Sequence, residues 1–380
     1  MARPSAERLA LYSALLREKG LATPRAGAIP RRTDAARAPL SFAQERLYFL
    51  ELYEPGTALY NDAVRVDLEG ELDRDALERA LARLVERHEI LRTSLALEDG
   101  GPVQRIHPSC PGPWTVTDLA HDVDSAARVT ELAREEAGRP FELETAPLWR
   151  LRLFVLGRTH HVLVLTMHHL VSDGASMGVF FDDLSVLYAL ESGTSERELQ
   201  PLAFQFGDYA AHERATYDGS REEEHLAYWR AALAGELPSA AWPGARGPAH
   251  QRGGQIPLAF SHAFTTRLEH LARAHGLTTN QLALAAWFVL LGAASGLDDL
   301  RTGFAGSLRH RRGLEQQIGF FVQSLVLRAT TRPEQEFLAL ARELGQRTLA
   351  ALAHEALPWD RVVRALERRD GPSLAPVFFS

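Results

Sequence analysis

Cysteine is nearly absent: Cys110 is the only one in 380 residues. A disulfide framework or a thiolate metal cluster is therefore excluded, and the usage suits a reducing cytosol. No apolar run approaches the roughly 20 residues needed to span a bilayer. The N-terminus also lacks the apolar core of a signal peptide, so a cytoplasmic location and no membrane partner are expected. Positive charge is in deficit, with a formal net charge of −7, which removes the basic footprint that nucleic-acid binding requires. Three motifs of common enzyme chemistry are missing as well: a glycine-rich phosphate loop, a G-x-S-x-G elbow and an H-E-x-x-H zinc helix.

What remains is ample material for a core. Hydrophobic residues make up 46% of the chain and charged residues 24%, and the length favours two structural units over one. Residues 5–18 read as a short amphipathic helix, followed by an Ala-, Pro-, Gly- and Arg-rich stretch to about residue 39. That stretch has two readings, a linker or a docking element for a partner module. Between 62 and 69, Val64, Val66 and Leu68 alternate with Arg65, Asp67 and Glu69, the pattern of a half-buried strand. Asp73 can cap a following helix whose Leu77, Leu81, Leu84, Val85 and His88 keep helical spacing.

A second helix fits 125–137. Residues 148–156 alternate as a strand, and 161–167 form a nearly continuous apolar run, with Gly157 in the turn of a hairpin. A helix over 177–190 packs behind the second strand. Later come a strand near 254–260, helices near 265–275 and 279–294, and a strand at 320–328, with a helix at 222–234 between the halves. Two similar α/β units are expected, with a boundary somewhere in 195–225.

The chemistry concentrates in MHHLVSDGAS, residues 167–176. A strand end is rigid and can aim a side chain into a cleft. Imidazole titrates near neutrality, so a histidine there can take a proton from a nucleophile and return it to a leaving group. Successive strand residues point to opposite faces, so His168 and His169 cannot both enter one cleft. One is functional and the other structural. Asp173 reads either as the orienting carboxylate of a dyad or as a structural ion pair or helix cap. Gly174 lets a backbone approach a ligand closely, and its N–H at a helix start can face developing negative charge. His160 and His161 have no partner at metal-ligand spacing and read as solvated, so no metal is expected. Arg309, His310, Arg311 and Arg312 form a basic run, either a solvated loop or a contact for phosphate or an acidic carrier.

With these segments in view, the chain resembles the condensation-domain family of nonribosomal peptide synthetases over nearly its whole length. LSFAQERLYFL (40–50) looks like the family's opening motif, RHEILRTSL (87–95) its second and MHHLVSDGAS its third. FGDYAAHE (206–213), IGFFVQSLVLR (318–328) and HEALPWDRVV (354–363) resemble the fourth, fifth and sixth. HHxxxDG alone is shared by several acyltransferase families; six motifs in order are specific.

The resemblance implies a mixed α/β (α+β) fold of two chloramphenicol-acetyltransferase-like lobes in a V-shaped pseudo-dimer. Residues 1–39 would be an N-terminal helix and linker, 40–210 the first lobe and 211–380 the second. The second lobe is expected to be truncated at its C-terminus, because 374–380 looks like the start of the family's last motif. The resemblance further implies a tunnel reached by donor and acceptor peptidyl carrier proteins, each bringing a thioester on a phosphopantetheine arm. No cofactor is expected on the domain itself, and a neighbouring adenylation domain is an expected partner.

His169 would face the tunnel as base or positioning group, with Gly174 beside it. His168 would be buried support, and Asp173 would point away and pair with Arg92. Ser172, Ala175, Ser176, Tyr48, Gln323 and Ser324 are candidates for the tunnel wall. Ala175 stands where the family usually has Trp, Gln323 where it has Asn, and position 48 carries Tyr. Two other functions compete: an ester-forming acyltransferase of the same superfamily, and a catalytically silent platform that recruits a partner enzyme.

Overall fold

Alternation in the sequence becomes pairing in the structure. A computed structural model describes residues 29–98, 100–110, 112–217, 219–236, 256–310, 313–366 and 377–379. The expected helix at 5–18 lies outside them. The described residues divide into two units.

The first unit runs from residue 29 to 217. Its elements begin with β1 (Arg37–Pro39), α1 (Phe42–Tyr53), β2 (Asn61–Glu69) and α2 (Arg74–Arg87). They continue with β3 (Thr93–Glu98), β4 (Gly101–Ile106), β5 (Trp114–Asp118) and α3 (Ser125–Ala137), then β6 (Trp149–Val155), β7 (His160–His168), α4 (Gly174–Glu191) and α5 (Phe206–Thr216). A four-stranded sheet has the order β2-β7-β6-β5, and a smaller one the order β1-β4-β3. The hairpin read from 148–167 is present: β6 pairs antiparallel with β7, Trp149 opposite Met167. β7 is central in its sheet, and its apolar run is nearly unbroken because both faces are buried: Leu163, Leu165 and Met167 join one core cluster, Val162 and Val164 another.

Asp73 caps α2 by accepting from the Ala76 N–H, and Leu77, Leu81, Leu84 and Val85 are buried. Helix α1 starts with a capping box: Ser41 accepts from Gln44 N–H, and the Gln44 side chain accepts from Ser41 N–H.

The first unit also includes Ser307–Val322. Leu308, Leu314, Ile318 and Phe321 from this segment belong to the same apolar core as Leu81, Trp149 and Phe180. Phe321 packs edge-on against Phe206 and Tyr209 of α5.

The second unit holds α6 (Glu222–Ala232), α7 (His262–Ala274), α8 (Thr279–Ser295), all but the last residue of β8 (Asp299–Ser307), all but the first of β9 (Val322–Thr330), α9 (Phe337–Ala353), α10 (Trp359–Ala365) and β10 (Phe378–Phe379). Its strands have the order β10-β8-β9. The expected strand near 254–260 is a correction: residues 256–261 carry no strand. Pro257 has no N–H for a ladder, and Ile256, Leu258 and Phe260 are exposed.

Candidate active site

Strand β7 ends at His168 and helix α4 starts at Gly174, so residues 168–174 form a rigidly anchored turn. The His169 N–H donates to the Tyr60 carbonyl at 2.8 Å, and the His168 N–H to the Leu148 carbonyl at 3.0 Å. The turn closes on itself through Val171 N–H to His168 O (3.0 Å) and the Ser172 hydroxyl to the same oxygen (3.1 Å). From outside, Gln44 of α1 donates to the Leu170 carbonyl at 2.8 Å.

The two histidines part as strand geometry requires. His168 is buried, its Nε2 3.1 Å from Glu51 Oε1 and its Nδ1 accepting from the Leu170 N–H at 3.0 Å. Tyr60 and Phe141 place their rings beside it. Burial, with the Glu51 carboxylate second, pushes the Tyr60 phenol up. His169 is half-buried. Its Nδ1 is 3.3 Å from the Ser172 carbonyl, and its ring lies 6.0 Å from that of Phe320. A carbonyl can only accept, so this contact puts the proton of the neutral imidazole on Nδ1 and leaves the lone pair on Nε2.

Asp173 performs both structural tasks read for it, with a different partner. It caps α4 by accepting from the Ser176 N–H at 2.8 Å. Its carboxylate also accepts from Arg309 Nη2 at 2.7 Å, Arg309 Nε at 3.0 Å and the Phe321 N–H at 3.2 Å. Both side chains are buried. The expected pairing with Arg92 is corrected: the Arg92 guanidinium donates to the His107 carbonyl at 2.5 Å. The Asp173 oxygens are already filled by donors from α4 and from the 307–322 segment.

Arg309 accordingly leaves the basic run it was read into. It is 7% exposed and also donates to the Leu314 and Gln317 carbonyls at 2.7 and 2.8 Å. Arg311 and Arg312 lie outside the described residues. His161 is corrected too: it is buried, and desolvation first, then Arg74, holds its imidazole below the ordinary range. His160 is exposed, as read.

Three wall candidates are buried within the first unit, a further correction. Tyr48 sits in the apolar core, and Ser172 is used in the turn. The Ser176 hydroxyl lies 2.8 Å from Asp173 Oδ1 and 3.0 Å from the Gly319 carbonyl, and it accepts from Arg309 at 2.9 Å. Gly174 and Ala175 are exposed. In the second unit Gln323 is buried and donates to the Leu357 carbonyl at 2.8 Å, while Ser324 is half-buried.

Sequence reading passed over Glu51 and Phe320, and it placed Arg309 in the wrong setting. The one available signal was an acidic residue in an otherwise apolar stretch, FLELY (49–53). Among the described residues, no group of three or more His, Cys, Asp or Glu could hold a metal ion.

Comparison with known proteins places this turn in a family. The model of the condensation domain matches residues 35–380. The malpibaldin synthetase of Mortierella alpina is 34% identical over 359 residues, which is 93% of this chain and 6% of that synthetase. The chain thus spans a small fraction of the curated relatives it matches. Among solved structures, the complex of the X-domain and OxyB from teicoplanin biosynthesis matches at 30% identity with a TM-score of 0.76, covering 93% of this chain and 78% of that one. The first condensation domain of the calcium-dependent antibiotic synthetase matches at 24% identity with a TM-score of 0.78, covering 90% and 80%, a likeness of fold. With six motifs in order and a family match over most of its length, the chain belongs to the condensation-domain family.

Proposed function

We propose that this domain forms an amide bond between a donor acyl or peptidyl thioester and the amine of an acceptor aminoacyl thioester. Both substrates are presented on phosphopantetheine arms of carrier proteins. The amine nitrogen attacks the thioester carbonyl, the C–N bond forms, and the C–S bond breaks. The departing thiolate receives the proton that the amine loses. On this reading His169 Nε2 takes that proton and returns it.

The observation that carries this reading is the contact between His169 Nδ1 and the Ser172 carbonyl. It presents a lone pair on a half-buried ring fixed at a strand end. Gly174 adds support. It has an ordinary backbone conformation, and a Cβ added there would meet nothing within 4 Å. Neither strain nor packing among the described residues calls for glycine, which leaves the close approach of a substrate as the reason for it.

A second reading has one observation in its favour: a solved structure 30% identical to this chain is the complex of an X-domain with OxyB. On that reading the domain would recruit a partner rather than catalyse. The Nε2 lone pair of the half-buried His169 and the open backbone at Gly174 favour catalysis. Intact mass spectrometry of an aminoacyl-loaded acceptor carrier, mixed with an acyl-loaded donor carrier and this chain, decides between them. A gain equal to the donor's acyl group supports condensation; no gain with a cognate pair and folded protein supports recruitment. Carrier docking, an adenylation neighbour and a cytoplasmic setting belong to the same proposal.

A further inference from the structure

The two adjacent histidines make opposite hydrogen bonds with their own turn. His168 Nδ1 faces a donor, the Leu170 N–H at 3.0 Å, so it must accept. Its ring proton therefore sits on Nε2, 3.1 Å from Glu51 Oε1. His169 Nδ1 faces an acceptor, the Ser172 carbonyl at 3.3 Å, so its ring proton sits on Nδ1. Glu51 is only 7% exposed and lies on α1. The same helix supplies Gln44, which holds the Leu170 carbonyl at 2.8 Å. Helix α1 thus grips both the N–H side and the C=O side of Leu170, through His168 and through Gln44.

We propose that Glu51 is a positioning residue for His169. By accepting the Nε2 proton of His168 it fixes that ring as an acceptor for the Leu170 N–H. This anchors the turn whose Ser172 carbonyl selects the Nδ1–H form of His169. The inference rests on His169 being the reacting histidine, and it assigns the tautomer of that residue to a carboxylate on another element. Without the carboxylate, the Nε2–H of His168 is a buried donor facing an apolar side chain. The His168 ring then has reason to turn over, which releases the Leu170 N–H and loosens residues 170–172. Freed from the Ser172 carbonyl, His169 populates the form with its proton on Nε2, which cannot act as a base there.

The test uses the full chain labelled with ¹⁵N-histidine, read by imidazole ¹⁵N–¹H correlation spectra. The His169 signals are identified by their loss in His169→Ala. The parent is expected to show His169 as Nδ1–H. Glu51→Leu is expected to move it toward Nε2–H and to slow single-turnover transfer between loaded carriers about ten- to a hundredfold, the scale of a misplaced reacting group. In a His169→Ala background, Glu51→Leu is expected to slow transfer no further.

Glu51→Gln separates positioning from a plain charge pair. Its amide oxygen accepts the same bond, so tautomer and rate are expected to return close to the parent. The proposal is overturned if Glu51→Leu leaves the His169 tautomer as in the parent. It is overturned equally if Glu51→Gln, although folded, behaves as Glu51→Leu in both readouts. If the parent transfers nothing at all, the condensation reading fails, and the spectra still decide whether Glu51 sets the tautomer.

Discussion

Replacing Asp173 by alanine exposes what the acidic residue of the third motif is for. The carboxylate is buried and receives two bonds from Arg309, one from the Phe321 N–H and two from Ser176. Removing it leaves the Arg309 guanidinium charged and unpaired inside the first unit, at a cost of about 3–5 kcal/mol. The lost helix cap adds about 1 kcal/mol. Together these approach the whole stability of an ordinary domain, about 5–15 kcal/mol.

Hydrogen-exchange mass spectrometry on peptides covering 160–191 and 307–322 reads the effect locally. Protection there should fall by about three to four orders of magnitude, since each 1.4 kcal/mol is a factor of ten. The double variant Asp173→Ala/Arg309→Leu, which removes the stranded charge, should recover part of that loss. Equal protection in parent and Asp173→Ala, or a double variant less protected than the single one, would refute the reasoning.

Three further outcomes follow from the same geometry. In the second unit, His225 Nδ1 and His354 Nδ1 lie 2.8 Å apart, with Tyr228 stacked on His354. Burial first, and His225 second, bring His354 down to about 4; burial also lowers His225. The folded unit therefore binds fewer protons than the unfolded chain between about pH 4 and the ordinary histidine value of about 6.5. Its stability is fully present above that window and is lost as pH falls through it. Allowing for partial exposure, the loss is about 1–2 kcal/mol, and urea midpoints that stay flat from neutral to mildly acidic pH would contradict it. Gly319→Ala drives a Cβ into the Phe206 ring, so a fall in thermal stability worth about 2 kcal/mol or more is expected by calorimetry. Gly174→Ala meets no atom within 4 Å, so its melting should match the parent while transfer between carriers slows.

The parts of this fold that were legible in the sequence are those governed by local rules. Alternation at 62–69, the cap at Asp73 and the hairpin around Gly157 depend on near neighbours, and each element stands where those rules put it. Strand parity likewise separates His168 from His169 without any structure.

What was missed depends on contacts between distant residues. Arg309 lies 136 residues from Asp173, in a run that reads as solvated, and only the packing of 307–322 into the first core makes it a buried partner. Glu51 is 117 residues from His168. The run at 256–260 shows the reverse failure: apolar alternation alone read as a strand, yet no described neighbour pairs with it.

The central claim is that His169 does chemistry rather than support. Its most direct test is single-turnover transfer between loaded carriers, run with the parent and with His169→Ala, both shown folded by circular dichroism. The His169 side chain is half-buried on the first unit, so truncation should leave the fold intact while the rate drops about 10²- to 10⁴-fold, the range for loss of a general base. Equal rates in the two proteins would contradict the account.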